Sequence, residues 1–498
     1  MISRTQDALP CSGGPAITQI ASRPWTRQDR HALMATLLLA VLLQCFLATR
    51  LACISRDGVQ FVTYARQLGA DPVPTMRTTT KQPGFSYLLL GAHRALGPIL
   101  GGDTPLGWQR CGQLIGLIGG VCACGLVFFL ARRLFDTTTA SVAGILAAVW
   151  PAGAHLAADV LSDMPHLALY LLAFLFAYRA LATGRVRHMA LCGASAGIAY
   201  MLRQEALGML AAPAICWCLP TCRRSWKPKL LGVVLLTLCF AAVVAPHSIV
   251  TGRLMPNKSL GELLFGLSLT TDVHPTPPLV LASAIHWWMA PAKMVEAWGK
   301  SGRYVISTLF LLAMFLKSAP RAEANGRRLA VAAVLLQMLA VQLRVKSYGE
   351  ISSRYMVVPL ALSIPWAAAG LLALLNIISL RLRARWPIRP IDIRTAGIVL
   401  ASLPMLFYLT KPVGAGKAHY RHAGQWLYEN AEPGDGVLAH SRLEQLMFYA
   451  GRTWPDETWR RLDEAATVDD IRRQIDGHAA RWLVDVKASR HATIDESA

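Results

Sequence analysis

Long apolar runs recur from residue 33 to residue 410, separated by short breaks rich in arginine. A helix that crosses a bilayer needs about 20 apolar residues, somewhat fewer where neighbouring helices bury it. The runs near 33–53, 111–131, 140–157, 164–182, 188–202, 205–219, 229–250, 302–317, 328–343, 355–379 and 395–410 therefore predict about eleven spanning helices. The stretch 188–219 counts as two because Arg203-Gln204-Glu205 interrupts it. The first run follows a polar leader of about 30 residues and precedes no small-residue cleavage site, so it reads as a retained helix rather than a signal peptide.

The basic residues orient these helices. Arg4, Arg23, Arg27 and Arg30 precede the first run, which places segment 1–30 in the cytoplasm. Alternation then puts 132–139, 183–187, 220–229, 317–328 and 380–394 inside, each carrying basic residues. Most acidic residues fall on the other side: Asp57, Asp71, Asp103, Asp159, Asp163, Glu262, Asp272 and Glu350. A bacterial inner membrane, with the C-terminus outside, suits this pattern.

Three pieces lie between or beyond the runs. Outer loop 54–109 holds a turn at Asp71-Pro72-Val73-Pro74 and an apolar stretch, Phe85 to Leu96, too short to span and read as an interfacial helix. Loop 251–300 has a proline-rich segment at 275–278 and His286-Trp287-Trp288, a headgroup-level anchor. Segment 411–498 reads as a small soluble α/β domain: helix 416–430, turn 433–436, strand 437–440, helix 442–450, helix 467–477 and strand 481–486. The predicted fold class is thus an all-α polytopic membrane protein carrying a small α/β extracytoplasmic C-terminal domain, with residues 31–410 as the transmembrane domain.

Composition agrees. Of the 498 residues 54% are hydrophobic and 16% charged, against roughly 25% charged in soluble domains, and the mean hydropathy is +0.39. The net charge of +21 would suggest nucleic acid in a soluble chain. Here the cations sit in the breaks between apolar runs, so no nucleic-acid partner is expected. The 11 cysteines lie mostly inside apolar runs and show no paired zinc spacing. His155, His166, His247 and His274 are scattered, so ligand spacing neither commits the chain to a divalent metal nor excludes one.

Ionisable groups beside spanning helices are costly, and each is a site hypothesis by default. Asp57 follows the first run; Lys81 precedes Gln82-Pro83; Asp159 and Asp163 stand i,i+4 apart and would share a face if helical. Arg203 and Glu205 interrupt an apolar run, Lys258 lies in a loop, and Arg354-Tyr355 opens the tenth run. A carboxylate at the membrane surface can take a proton from an acceptor hydroxyl. Lys and Arg nearby can hold a phosphate and neutralise it as it leaves. Plainer readings stand beside these: Asp57 as the cap of helix 58–68, Arg203 and Glu205 as a mutual pair, Lys81 and Lys258 as solvated lysines.

Several stretches resemble one family in order. They are Ser55-Arg56-Asp57-Gly58 with Tyr64-Ala65; Lys81-Gln82-Pro83-Gly84-Phe85; Leu161-Ser162-Asp163-Met164-Pro165; Met201-Leu202-Arg203-Gln204-Glu205; Ser353-Arg354-Tyr355 through Pro359; and His419-Tyr420 through Asp435. Together they resemble the polytopic GT-C type glycosyltransferases, specifically the superfamily of dolichyl-phosphate-mannose–protein mannosyltransferases and bacterial aminoarabinose transferases. The protein mannosyltransferases carry two adjacent acidic residues in the first loop, whereas Gly58 follows Asp57 here, as in other bacterial members. The resemblance implies transfer of a hexose or pentose from a polyprenyl-phosphate donor to a lipid, glycan or protein hydroxyl, with inversion. It implies Asp57 as base, Asp163 and then Asp159 as positioning carboxylates, Lys81, Arg203, Arg354 and Lys258 on the donor phosphate, and Tyr64, Glu205 and Tyr355 in support. The competing reading is a flippase for lipid-linked glycans, which would show two related halves; no internal repeat is evident. A third reading is a sensor or scaffold whose outer tail binds a partner; deleting 411–498 would cost a scaffold everything, whereas a transferase should keep some turnover.

Overall fold

The computed structural model describes residues 24–79, 81–219, 225–252, 289–316, 322–348, 351–384, 390–432, 434–439, 443–452, 458–461, 472 and 480–484. Lys258, the tryptophan pair at 287–288 and all of the expected helix 467–477 but residue 472 lie outside the described residues.

All eleven apolar segments are helical. Helix α1 is Arg27–Thr49. The first loop then folds as α2 (Arg56–Ala70), α3 (Pro72–Thr78) and α4 (Gly84–Leu100), the last being the expected interfacial segment. The bundle continues with α5 (Pro105–Leu134), α6 (Thr137–Ala148), α7 (Pro151–Ala158), α8 (Asp163–Thr183), α9 (Arg187–Leu202), α10 (Gly208–Cys218) and α11 (Trp226–Thr251). After the second loop come α12 (Ala290–Ser301), α13 (Val305–Phe315), α14 (Ala324–Tyr348), α15 (Val357–Arg383) and α16 (Pro390–Leu409). Among the described residues seven helices are long and apolar enough to cross a membrane: α1, α5, α8, α11, α14, α15 and α16. The chain is an integral membrane protein.

The remaining expected spans are shorter or broken. The run read as 140–157 is α6 and α7, bent by 54°. The break falls at Val149-Trp150-Pro151, because Pro151 has no N–H to continue α6 and starts α7 instead. Helices α9, α10 and α13 have 16, 11 and 11 residues. Arg203, in extended conformation, ends α9, and a 3-10 turn, Gln204–Leu207, leads into α10.

Helix α15 is the centre of the bundle, buried from Val357 to Ala373, with α5, α6, α13 and α14 around it. Close packing there depends on small residues. A glycine row on α5 lets the 157–165 break lie directly on its backbone: a Cβ at Gly119 would stand 2.5 Å from the Pro165 nitrogen, and one at Gly112 2.5 Å from Val160. The start of α8 is set by this contact.

A second apolar cluster lies apart from the bundle core. It joins Ile54, Phe61, Phe85, Trp108, Val160 and Leu202 to Tyr420, Phe448 and Tyr449 of the C-terminal segment. That segment folds as α17 (Ala418–Asn430), β1 (Gly436–Ala439), α18 (Leu443–Tyr449), β2 (Trp459–Arg461) and β3 (Ala480–Val484). The three strands form a parallel sheet in the order β2-β1-β3, with Val437 opposite both Trp459 and Trp482. Parallel neighbours need a crossover, and α18 supplies it between β1 and β2.

Candidate active site

Five element ends meet at one pole of the bundle. These are the start of α2, the residues before α4, the start of α8, the end of α9 and the turn before α15. They carry Asp57, Lys81, Asp163, Arg203 with Glu205, and Arg354 respectively.

The six side chains form one line of alternating charge. Lys81 Nζ donates to Asp57 Oδ1 at 3.2 Å, and Arg354 Nη1 donates to Asp57 Oδ2 at 2.7 Å. The other Arg354 nitrogen, Nη2, donates to Asp163 Oδ2 at 2.6 Å. Arg203 Nη1 donates to Asp163 Oδ1 at 2.8 Å, and its Nη2 donates to Glu205 Oε1 at 2.7 Å. Three cations face three carboxylates, so the line is formally neutral. Depth varies along it: the Asp57 side chain is 41% exposed and that of Asp163 2%. The inner members are a fixed scaffold, since breaking a buried pair costs about 3–5 kcal/mol. The outer members, Lys81, Asp57 and the near face of Arg354, open to the aqueous side.

Local structure settles the role of Asp57 as a cap. The N-cap of α2 is Ser55, whose Oγ accepts from the Gly58 amide at 3.2 Å. Asp57 sits in the first turn with its carboxylate free of capping and turned to Lys81 and Arg354. Burial pushes its pKa up, but the charges of Lys81 and Arg354 outweigh that and hold it down to about 2. Burial pulls the Lys81 pKa below its ordinary value, with Asp57 opposing. Lys81 also lies over the Phe61 ring, 4.8 Å from its centroid. It is therefore a held side chain and not a solvated one. Arg203 and Glu205 do pair, but Arg203 also binds Asp163.

Asp159 and Asp163 do not share a helical face. Asp159 ends α7 in extended conformation and Asp163 begins α8, with non-helical residues between. The Asp159 carboxylate accepts from the backbone amides of Ser55 at 3.2 Å and Val160 at 2.7 Å. Burial raises its pKa, with those two amides opposing. It ties the 159–162 break to the start of α2 and stays outside the charge line. Tyr64 is buried on α2 beside Tyr87 and Thr79, also outside the line. Tyr355 lines a small cleft with Arg203, Glu205, Asp163, His166 and Gln337. His166 and Gln337 were not legible as site residues. His166 follows Asp163 by three positions on one helix, a spacing that puts both on one face; nothing in the sequence ties Gln337 to them. Among the described residues no group of three or more His, Cys, Asp or Glu is arranged to hold a metal.

The architecture is that of the polytopic GT-C glycosyltransferases. Residues 109–249 match the family described as dolichyl-phosphate-mannose-protein mannosyltransferase. Among solved structures the chain is similar to ArnT from Cupriavidus metallidurans bound to undecaprenyl phosphate, with a TM-score of 0.54, 14% identity, and 91% of this chain and 89% of that one covered. It is also similar to the Archaeoglobus fulgidus oligosaccharyltransferase in the apo form, with a TM-score of 0.52, 15% identity, and 84% of this chain and 64% of that one covered. No curated protein sequence is significantly similar to it.

Proposed function

We propose that the chain is a membrane glycosyltransferase that moves a sugar from a polyprenyl-phosphate donor to a hydroxyl acceptor, with Asp57 as general base and inversion at the anomeric carbon. One observation carries this reading. An open carboxylate, Asp57, is held between two cations, Lys81 and Arg354, at the mouth of a bundle with the architecture of lipid-phosphate-dependent transferases. The solved ArnT structure was obtained with undecaprenyl phosphate bound, which supports a donor of that chemical kind here.

The chemistry follows from the charges. The acceptor oxygen forms a bond to the anomeric carbon while the bond from that carbon to the phosphate oxygen breaks. The electron pair leaves on the phosphate, which changes from a singly charged diester to a more highly charged monoester. Lys81 and Arg354 stabilise that developing charge. The acceptor proton passes to Asp57. Attack from the face opposite the phosphate needs one base and gives inversion. Asp163 holds Arg354 from behind, and Arg203 holds Asp163, so the phosphate-side cation is fixed before the donor arrives.

The test is transfer by purified protein offered radiolabelled polyprenyl-phosphate hexoses and pentoses in membrane lipid. Asp57→Asn keeps the size and removes the base; general-base catalysis contributes about 10²–10⁴-fold. A loss of kcat on that scale is expected, with elution unchanged and melting only modestly lowered by loss of the Asp57 ion pairs. Full activity of the Asn variant would sink Asp57 as base. Passage of labelled lipid across a vesicle without transfer would favour a flippase.

A further inference from the structure

The stretch from Leu51 to Arg56, which delivers Asp57, is held from behind by the far end of the chain. The Ile54 amide donates to the Tyr449 hydroxyl at 3.0 Å, and that hydroxyl donates to Gln109 Oε1 at 2.9 Å. The Ile54 carbonyl accepts from Gln445 Nε2. The Leu51 carbonyl accepts from Arg421 Nη1 at 3.2 Å, and the Ala52 amide donates to the Val413 carbonyl at 2.9 Å. Arg56, next to Asp57, pairs with Glu444. Gln445 and Tyr449 are almost wholly buried and lie one turn apart on α18, where they grip both polar groups of a single peptide residue. Apolar packing reinforces the grip, since Tyr420, Phe448 and Tyr449 share a cluster with Ile54, Phe61 and Val160. On the other side, Asp159 holds the Ser55 amide.

Buried backbone groups are almost always paired. Here the partners come from nearly 400 positions away, not from the loop's own turn. Local bonds hold only the edges of the stretch, at Leu51 and at the Ser55 cap, whereas the Ala52 and Ile54 amides bond to the C-terminal segment, so that segment helps to set where Asp57 points. Lys81 and Arg354 are placed by α4 and α15 and do not depend on it.

We infer that Gln445 and Tyr449 are positioning residues for Asp57, so that the C-terminal segment is part of the catalytic apparatus and not an appended domain. The inference rests on Asp57 being the base. It also revises the expectation that a chain lacking 411–498 keeps turnover, because the deletion would strip the loop of its partners.

The decisive experiment is a double-mutant cycle in the transfer assay on the full chain. Tyr449→Phe removes only the hydroxyl, and Gln445→Leu removes the donor at similar volume. Each is expected to lower kcat about 10–100-fold, because a misplacement of about 1 Å can cost 10²-fold. The donor KM should hold, since Lys81 and Arg354 keep their positions. Binding of polyprenyl phosphate and the melting profile check that each variant is folded. In an Asp57→Asn background the same changes should cost nothing further, since there is no base left to aim. An equal loss in both backgrounds, or unchanged kcat in both single variants, would overturn the inference while leaving Asp57 as base. A fully active Asp57→Asn protein would instead remove the reading beneath it.

Discussion

A base is useful when it is ionised and able to take a proton, and Asp57 meets the two conditions at different stages. In the free protein Lys81 and Arg354 hold its pKa to about 2, so it is charged at any working pH but weakly basic. In the proposed mechanism a donor phosphate would change this: it would compete for both cations and bring its own negative charge beside Asp57, and each effect would raise the carboxyl pKa. The sign is testable, because kcat/KM reports the free enzyme and kcat the substrate complex. The acid limb of kcat/KM due to Asp57 should lie below pH 3, at about 2. The acid limb of kcat should lie at higher pH. Coincident limbs, or the reverse order, would mean that the donor does not draw the cations away. Stability follows the free-state value: the ion pairs of Asp57 stabilise the fold above its ordinary pKa of about 4 and are lost as pH falls toward 2.

Much of this site was readable at the residue scale, because a charge at the end of an apolar run has few harmless explanations. Asp57, Lys81, Asp163, Arg203 and Arg354 all stand at such ends. Their pairing was not readable, since Arg354 meets Asp57 and Asp163 only through the bundle's assembly. Gln445 and Tyr449 carried no signal at all. In Leu443-Glu444-Gln445-Leu446-Met447-Phe448-Tyr449 they look like ordinary members of an amphipathic helix.

Among the elements, the approach of α4 to α9 brings Lys81 to the rest of the charge line. Gly84 opens α4 three residues after Lys81, and a Cβ there would lie 2.5 Å from the Met201 carbonyl oxygen and 2.7 Å from its carbon. Those are backbone atoms at the end of α9, two residues before Arg203, and they cannot swing aside as a side chain would. Gly84→Ala should therefore part the two helices. Overpacking of this kind costs about 1–3 kcal/mol, so a lower melting temperature is expected together with a higher donor KM. A variant that melts and binds donor like the parent would show that this contact is not what seats Lys81. The element boundaries that the sequence hid have similar local causes. The bend at Pro151 is invisible to a count of apolar residues, which sees one run from 140 to 157. Strand β2 is three residues, Trp459–Arg461, with one buried and two exposed, too short for alternation to register.

The molecule as a whole has two poles of different chemistry, and which of them faces the cytoplasm is open to test. The charge line lies at the start of α8 and α15 and the end of α9. The other ends of the same helices carry Arg179, Arg187, Arg381 and Arg383, while Arg132 and Arg133 end α5. One of these, Arg132, forms a buried pair with Asp29 at 2.7 Å; a cluster of arginines at one pole is the pattern expected of the cytoplasmic side. Gly414, beyond α16, returns to the site pole, where its backbone lies against Cys53 in the loop before Asp57. Positions 384 and 414 thus stand at opposite poles, with α16 between them. Reporter fusions after each should read opposite sides. A fluorescent protein that folds only in the cytoplasm should be bright after 384 and dark after 414, and a phosphatase active only outside should do the reverse. That result would place Asp57, Lys81 and Arg354 at the outer leaflet and require the donor's sugar to be presented there. The opposite result would put the whole charge line in the cytoplasm, where the same six residues would have to draw their donor from the inner leaflet.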